Sequence, residues 1–228
     1  MLERLELLTG SNNLDNIINK TVMIIGLGGV GGYTVESLVR CGIKNIIIID
    51  YDKIDITNKN RQIIALDSTI GMKKTEAFKN RIKDINNECN VKVIDMFLEV
   101  KDVSSIITSD IDYVVDACDT ISVKMEIIKT CLDKNIKFIS CMGTGKRFNP
   151  SLLEITDIRK TNNDPIAKII RKFVRDNRIN KKIPVVCSKE VPIKIDSNKI
   201  GSNSFVPATA GLLITSYIIN DIIKEGVK

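Results

Sequence analysis

The 228-residue chain contains no histidine and six cysteines with no Cys-x-x-Cys pair among them, and its 34 Lys and Arg against 28 Asp and Glu give a net charge of +6. The missing histidines and cysteine pairs exclude a zinc site of the usual Cys/His spacing and any Ser-His or Cys-His nucleophilic pair, which leaves carboxylates, Lys, Arg, backbone amides and a metal-nucleotide complex to do chemistry. The modest basic excess suits an anionic partner, although Lys-, Ile- and Asn-rich usage also follows from genome composition.

Met1-Leu2-Glu3-Arg4-Leu5-Glu6 carries acidic charges without the apolar region and cleavage site of a secretory signal, and places Arg4 on a short amphipathic helix. Thr21–Ile25 reads as a strand ending at glycines, Val30–Cys41 as a helix and Asn45–Asp50 as a second, fully buried strand. Met72–Asn86 reads as a helix, Val91–Ile94 as extended, Asp112–Asp116 as a strand, Val123–Lys134 as a helix and Lys137–Ser140 as a strand. This alternation implies an α/β fold: a doubly wound, Rossmann-like, mostly parallel sheet with helices on both faces. Beyond Gly145 an extended C-terminal β/helix region begins. It opens with a strand at Leu152–Thr156, followed by Asp164 and Pro165 as N-cap and first residue of a basic helix running to about Arg178. Short strands and loop are expected over Lys181–Ser204, then an apolar helix over Ala208–Lys224. No linker or repeat divides the chain, so one domain over 1–228 is expected. The most apolar uncharged stretch, Phe205–Asn220, is short for a bilayer, so the expectation is a soluble, cytoplasmic protein without a membrane partner.

The glycines Gly26, Gly28, Gly29 and Gly31 stand at the first strand-to-helix junction, where bare backbone lets amides approach a phosphate at the positive helix end. Asp50, about 20 residues on, suits a ribose hydroxyl. NAD, FAD and ATP sites share this device, and glycines used only for tight helix-strand packing give the same spacing.

Downstream follow Asp52, Asn58-Lys59-Asn60-Arg61-Gln62, Gly71-Met72-Lys73-Lys74 and Asp116-Ala117-Cys118-Asp119. This order resembles the adenylating domains of ubiquitin-activating-enzyme-like proteins of the ThiF/MoeB type, including the bacterial activators of sulfur carriers. The resemblance implies ATP and magnesium, with Arg61 and Lys74 as catalytic contacts to the phosphates, Asn58 and Asp52 at the nucleotide, and Asp119 on the metal. A carboxylate attacking an α-phosphate meets like-charge repulsion, which fixed cations and a metal offset. Read singly, Arg61 and Lys74 are also ordinary surface charges, and Asp119 a cap for the helix starting near Ser122.

Further segments narrow the resemblance: Arg4-Leu5-Glu6-Leu7-Leu8-x-Gly10, Met142-Gly143-Thr144-Gly145, Ser188-Lys189-Glu190 and Gly201-Ser202-x-Ser204-Phe205-Val206-Pro207 are similar to the tRNA threonylcarbamoyladenosine dehydratases. That family implies ATP-dependent cyclising dehydration of the modified adenosine beside the tRNA anticodon, through adenylation of its threonyl carboxylate. It also implies a homodimer in which Arg4 reaches the partner's nucleotide, and it leaves room for sulfur-transfer or cysteine-desulfurase partners. An adenylating activator of a sulfur-carrier or ubiquitin-like protein is the alternative, and a NAD-binding or non-catalytic scaffold is a third reading. Cys141 and Cys187, which a thioester route would need, sit in apolar, strand-like surroundings and read as small buried hydrophobes. Lys168, Arg171, Lys172, Arg175 and Arg178 recur at helical spacing after Pro165, a basic stripe suited to RNA phosphates, with Phe148 and Phe173 nearby.

Overall fold

The computed structural model describes residues 1–197 and 199–226. Seven strands form one sheet: β1 Thr21–Ile25, β2 Asn45–Asp50, β3 Asn90–Asp95, β4 Tyr113–Asp116, β5 Lys137–Cys141, β6 Leu153–Asp157 and β7 Pro184–Ser188, in the order β3-β2-β1-β4-β5-β7-β6. All neighbours run parallel except β6, which lies antiparallel on β7 at the edge, with Leu153 opposite Ser188 and Asp157 opposite Pro184. The chain reverses direction across β1, β2 on one side and β4 on the other. That switch point opens a crevice at the carboxyl ends of the strands, where open α/β sheets bind ligands.

The run Ile46-Ile47-Ile48-Ile49 shows why this sheet needs two covers. Ile46 and Ile48 enter one buried cluster while Ile47 and Ile49 enter the other, as alternation along a strand requires. The first cluster is closed by helices α2 Ser11–Ile18, α3 Gly31–Arg40, α4 Lys74–Ile85 and α8 Phe205–Gly226, the second by α5 Val100–Ile106, α6 Ile121–Asp133 and α7 Pro165–Asp176. Each isoleucine fully withdrawn from water contributes about 1.5–3 kcal/mol, so β2 is a principal contributor to the core.

The chain starts with the short helix α1 Glu3–Thr9. Helices α2 and α5 are not foreseen in the sequence. α7 begins as expected, Asp164 accepting the Ala167 amide at 2.8 Å with Pro165 behind it. The expected limit on the apolar C-terminal stretch is corrected: Phe205–Glu225 forms a helix long and apolar enough, by length and composition, to cross a membrane. Asp221 and Lys224 do not interrupt the helix, so its length exceeds that of the uncharged run. Val206, Ala210, Ile214, Ile218 and Ile222 nonetheless point into the core. Gly211 lets the helix lie directly on α3, since a Cβ there would stand 2.5 Å from the Val30 carbonyl oxygen.

Candidate functional site

The crevice is a cleft of about 400 Å³ bordered by Gly26, Gly28, Gly29, Asp50, Asp52, Asn58, Arg61, Lys74 and Asp119. Its floor is built by two close approaches that only glycine permits. A Cβ on Gly26, whose φ is +91°, would meet the Ala117 carbonyl oxygen at 2.7 Å, and one on Gly31 would meet the Gly26 carbonyl oxygen at 1.8 Å. Gly31 therefore serves helix-strand packing, while Gly28 faces open space with nothing nearer than 3.9 Å. Val30, the N-cap of α3, supplies no side-chain cap, and the amides of Gly28, Gly29 and Val30 donate to no acceptor among the described residues. An uncapped helix end with free amides is an anion site.

Asp50 ends β2 inside the cleft, but its carboxylate is already engaged. Oδ2 accepts from the Leu27 amide at 2.7 Å and Oδ1 from the Asp52 amide at 2.8 Å. Its first task is thus to hold the glycine loop, beside any contact to a ribose. Lys74, first residue of α4 and almost fully buried, donates to Asp52 Oδ2 at 2.6 Å and stands 3.8 Å from Asp50 Oδ1. Arg61 and Asn58 reach the cleft from the turn after β2. Asn58 Oδ1 accepts from the Asp55 amide at 3.2 Å and Asp55 accepts from the Thr57 amide at 2.8 Å, which rigidifies the turn. Arg61 donates to the Thr57 carbonyl at 2.9 Å.

Asp119 does not cap α6: that position belongs to Thr120. Its carboxylate is exposed in the cleft, with no hydrogen bond or ion pair to the described residues. Asp52, slight burial, and then Asp119 and Asp50 together lift the Tyr51 phenol above its usual value, so the carboxylates converge on one mouth of the cleft. Tyr51 stands edge-to-face on Phe97 with ring centroids 4.8 Å apart, and with Leu98 and Val123 they give this end an apolar wall suited to a planar base.

Several site residues escape a reading of the sequence. Lys124 and Asp116 are buried beneath the cleft, Nζ lying 2.9 Å from each carboxylate oxygen, with Ser140 Oγ donating to the same group. Burial alone would lower the Lys124 pKa, but attraction to Asp116 more than restores it and the net shift is upward. Gln62, Ile200, Ser202 and Pro207 also line the cleft, the Asn60 amide donating to the Ser202 carbonyl at 3.1 Å across its rim. The only sequence signal of Gln62, Ser202 and Pro207 is membership of family-like segments, and Ile200, just before one of them, has none.

Other expected residues lie elsewhere. Arg4 is exposed on α1, outside the cleft of its own chain. Lys168, Lys172, Arg175 and Arg178 are exposed on and just beyond α7. Arg171 departs from the expected stripe, because it is half-buried and donates to the Thr161 carbonyl at 2.8 Å and hydroxyl at 2.5 Å. Phe148 is exposed and packs edge-to-face on Phe205, whereas Phe173 packs against the core. Cys141 and Cys187 are buried, and burial pushes both thiols up to about 12. Cys118, at the cleft wall, is raised by burial and by Asp116 beside it.

The model of the ThiF family matches residues 2–194. The chain belongs to the ThiF family. Within it, a Bacillus subtilis protein named tRNA threonylcarbamoyladenosine dehydratase is 40% identical over 97% of this chain and 94% of its own length. A Haemophilus influenzae protein of the same name is 32% identical over 90% of this chain and 86% of its own. The crystal structure of Escherichia coli TcdA, a tRNA N6-threonylcarbamoyladenosine dehydratase, superposes with a TM-score of 0.92 at 31% identity, covering 97% of this chain and 93% of that one; it has been solved with ATP and with AMP. These relatives place the chain among the dehydratases of the ThiF family, and its α/β fold is that of TcdA.

Proposed function

We propose that the chain is an ATP-dependent tRNA threonylcarbamoyladenosine dehydratase. The observation that carries this reading is a cleft that gathers free helix-end amides, Arg61, Lys74 and an unengaged Asp119, while every thiol on or near it is held neutral. ATP lies with its phosphates over Gly28, Gly29 and Val30. Asn58 and Asp50 border the nucleotide, and Lys74 exchanges Asp52 for a phosphate oxygen. Asp119 fits magnesium as the single hard carboxylate that such an ion takes beside phosphate oxygens and water, and the metal would offset charge on the triphosphate. The threonyl carboxylate attacks the α-phosphate and pyrophosphate leaves. The carbamoyl group of the same side chain then attacks the acyl carbon and AMP leaves, so one water is lost from the nucleoside overall. Intramolecular closure needs no protein nucleophile, which suits a chain without histidine and with neutral thiols. The buried cysteines count against a thioester-forming activator of a sulfur-carrier or ubiquitin-like protein.

Purified protein with ATP, magnesium and threonylcarbamoyl-modified tRNA is expected to lower the nucleoside mass by one water and release AMP, and the double variant Cys141→Ala, Cys187→Ala to retain that turnover. An unchanged nucleoside mass would overturn the assignment.

The tRNA backbone is taken to lie along Lys168, Lys172, Arg175 and Arg178. Reversing Lys168 and Lys172 to Glu should weaken tRNA binding about 10-fold or more at low salt and flatten its salt dependence. ATP affinity should not change; unaltered tRNA binding in a filter assay would make α7 a solvated face. The chain is further read as one domain working as a homodimer in the cytoplasm, where tRNA and ATP meet, with Arg4 reaching the partner's cleft. The reaction moves no sulfur, so any sulfur-transfer partner acts outside it.

A further inference from the structure

Gln62 is 7% exposed, and neither end of its amide is matched among the described residues: the buried Oε1 finds no donor, and Nε2, at the wall of the cleft, donates to no acceptor. A buried amide without partners costs stability, and a methionine would fill the same volume without that cost. Arg147 Nε is the other buried polar atom of this kind, but the rest of its guanidinium is spoken for by the Asn163 carbonyl at 2.7 Å, by Asp164 at 3.4 Å and by the Glu190 carbonyl. Gln62 has no such compensation. Its backbone is fixed, the amide donating to the Asn58 carbonyl at 2.9 Å and the carbonyl accepting from Ala65 at 3.0 Å, so the side chain starts from a set point at the cleft wall. Its Nε2 stands 3.9 Å from the point a Cβ would take on Gly28, on the wall of the cleft and beside the free amides of the loop.

A triphosphate offers only acceptors there, so the group it needs from Gln62 is an N–H. Arg61 and Lys74 already supply positive charge. A neutral donor adds a hydrogen bond to the anion without forming a competing ion pair with the attacking carboxylate.

We infer that Gln62 is a phosphate-binding residue of the cleft, donating Nε2–H to the nucleotide beside the Gly28 amide. The inference rests on the reading that this cleft holds ATP, and calorimetry separates the two. Gln62→Met should bind ATP about 10-fold more weakly than the parent, the loss of one hydrogen bond to a charged group. Adenosine should bind both proteins equally. The ligand-free variant should melt about 2–4 °C higher, because an unmatched amide has been removed. Wild-type protein that fails to bind ATP would sink the reading of the cleft. Wild-type binding with an unchanged Gln62→Met affinity, an equal loss for adenosine, or a lower melting temperature would each overturn the role of Gln62.

Discussion

Lys74→Met is expected to lose about 10²–10³-fold in turnover while melting within a few degrees of the parent. Methionine keeps the buried stem of the side chain and deletes the one cation that reaches the cleft from α4. The cost to folding is small because the partners left behind are not stranded. Asp52 has 44% of its side chain in water and rehydrates, and Asp50 keeps the Leu27 and Asp52 amides. The cost to catalysis is large because the developing charge on the α-phosphate then loses a fixed cation held beside Asp50 and Asp52, which the loop amides and Arg61 do not replace at that position. Asp119→Ala should lose turnover for the opposite reason, removal of the free carboxylate suited to the metal. Wild-type rates in both variants would remove these assignments. Mixing Lys74→Met and Arg4→Ala proteins tests the dimer in the same assay. Under random exchange about one site in four pairs an intact Lys74 with an intact Arg4 from the partner, so about a quarter of the parent activity should return; no recovery would confine Arg4 to its own chain.

The parts of this fold that the sequence displays are those whose physics is local. The apolar run of β2, the glycines before α3 and the Asp164-Pro165 start of α7 are each decided within a few residues, and each is where it was expected. α2 and α5 stay hidden because polar starts such as Ser11-Asn12-Asn13 and only seven or eight residues leave too short a periodicity to recognise. The antiparallel setting of β6 depends on the path back from α7, which no local pattern encodes. The same division runs through the site. Gly26, Asp50, Arg61, Lys74 and Asp119 lie in spaced motifs and converge on one cleft. Arg171 satisfies the helical spacing of the basic stripe as well as Lys168 does, but Thr161, ten residues away, claims its guanidinium. Lys124 looks in sequence like a charge on the outer face of α6, and only the seating of α6 over β4 and β5 buries it.

That burial makes Lys124→Met the variant with the largest expected effect on stability. Both partners are at most 1% exposed, so deleting the ammonium leaves the Asp116 carboxylate charged, dehydrated and supported by neutral donors alone: Ser140 Oγ, the Cys118 amide at 3.3 Å and the Cys118 thiol at 3.1 Å. Breaking a buried pair in this way costs about 3–5 kcal/mol, which for a chain of this length lowers the melting temperature by roughly 6–20 °C. Asp116→Asn added to Lys124→Met removes the stranded charge and should recover a good part of that loss, as neutral replacements of whole buried pairs commonly do. If the single variant melts like the parent, the pair is not the strut it resembles. ATP binding should not recover in the double variant to the same degree. The carboxylate of Asp116 holds the turn carrying Cys118 and Asp119, and the Ala117 carbonyl presses directly on Gly26. Stability can therefore be regained by cancelling the charge, whereas the position of Asp119 over the cleft requires the ion pair itself.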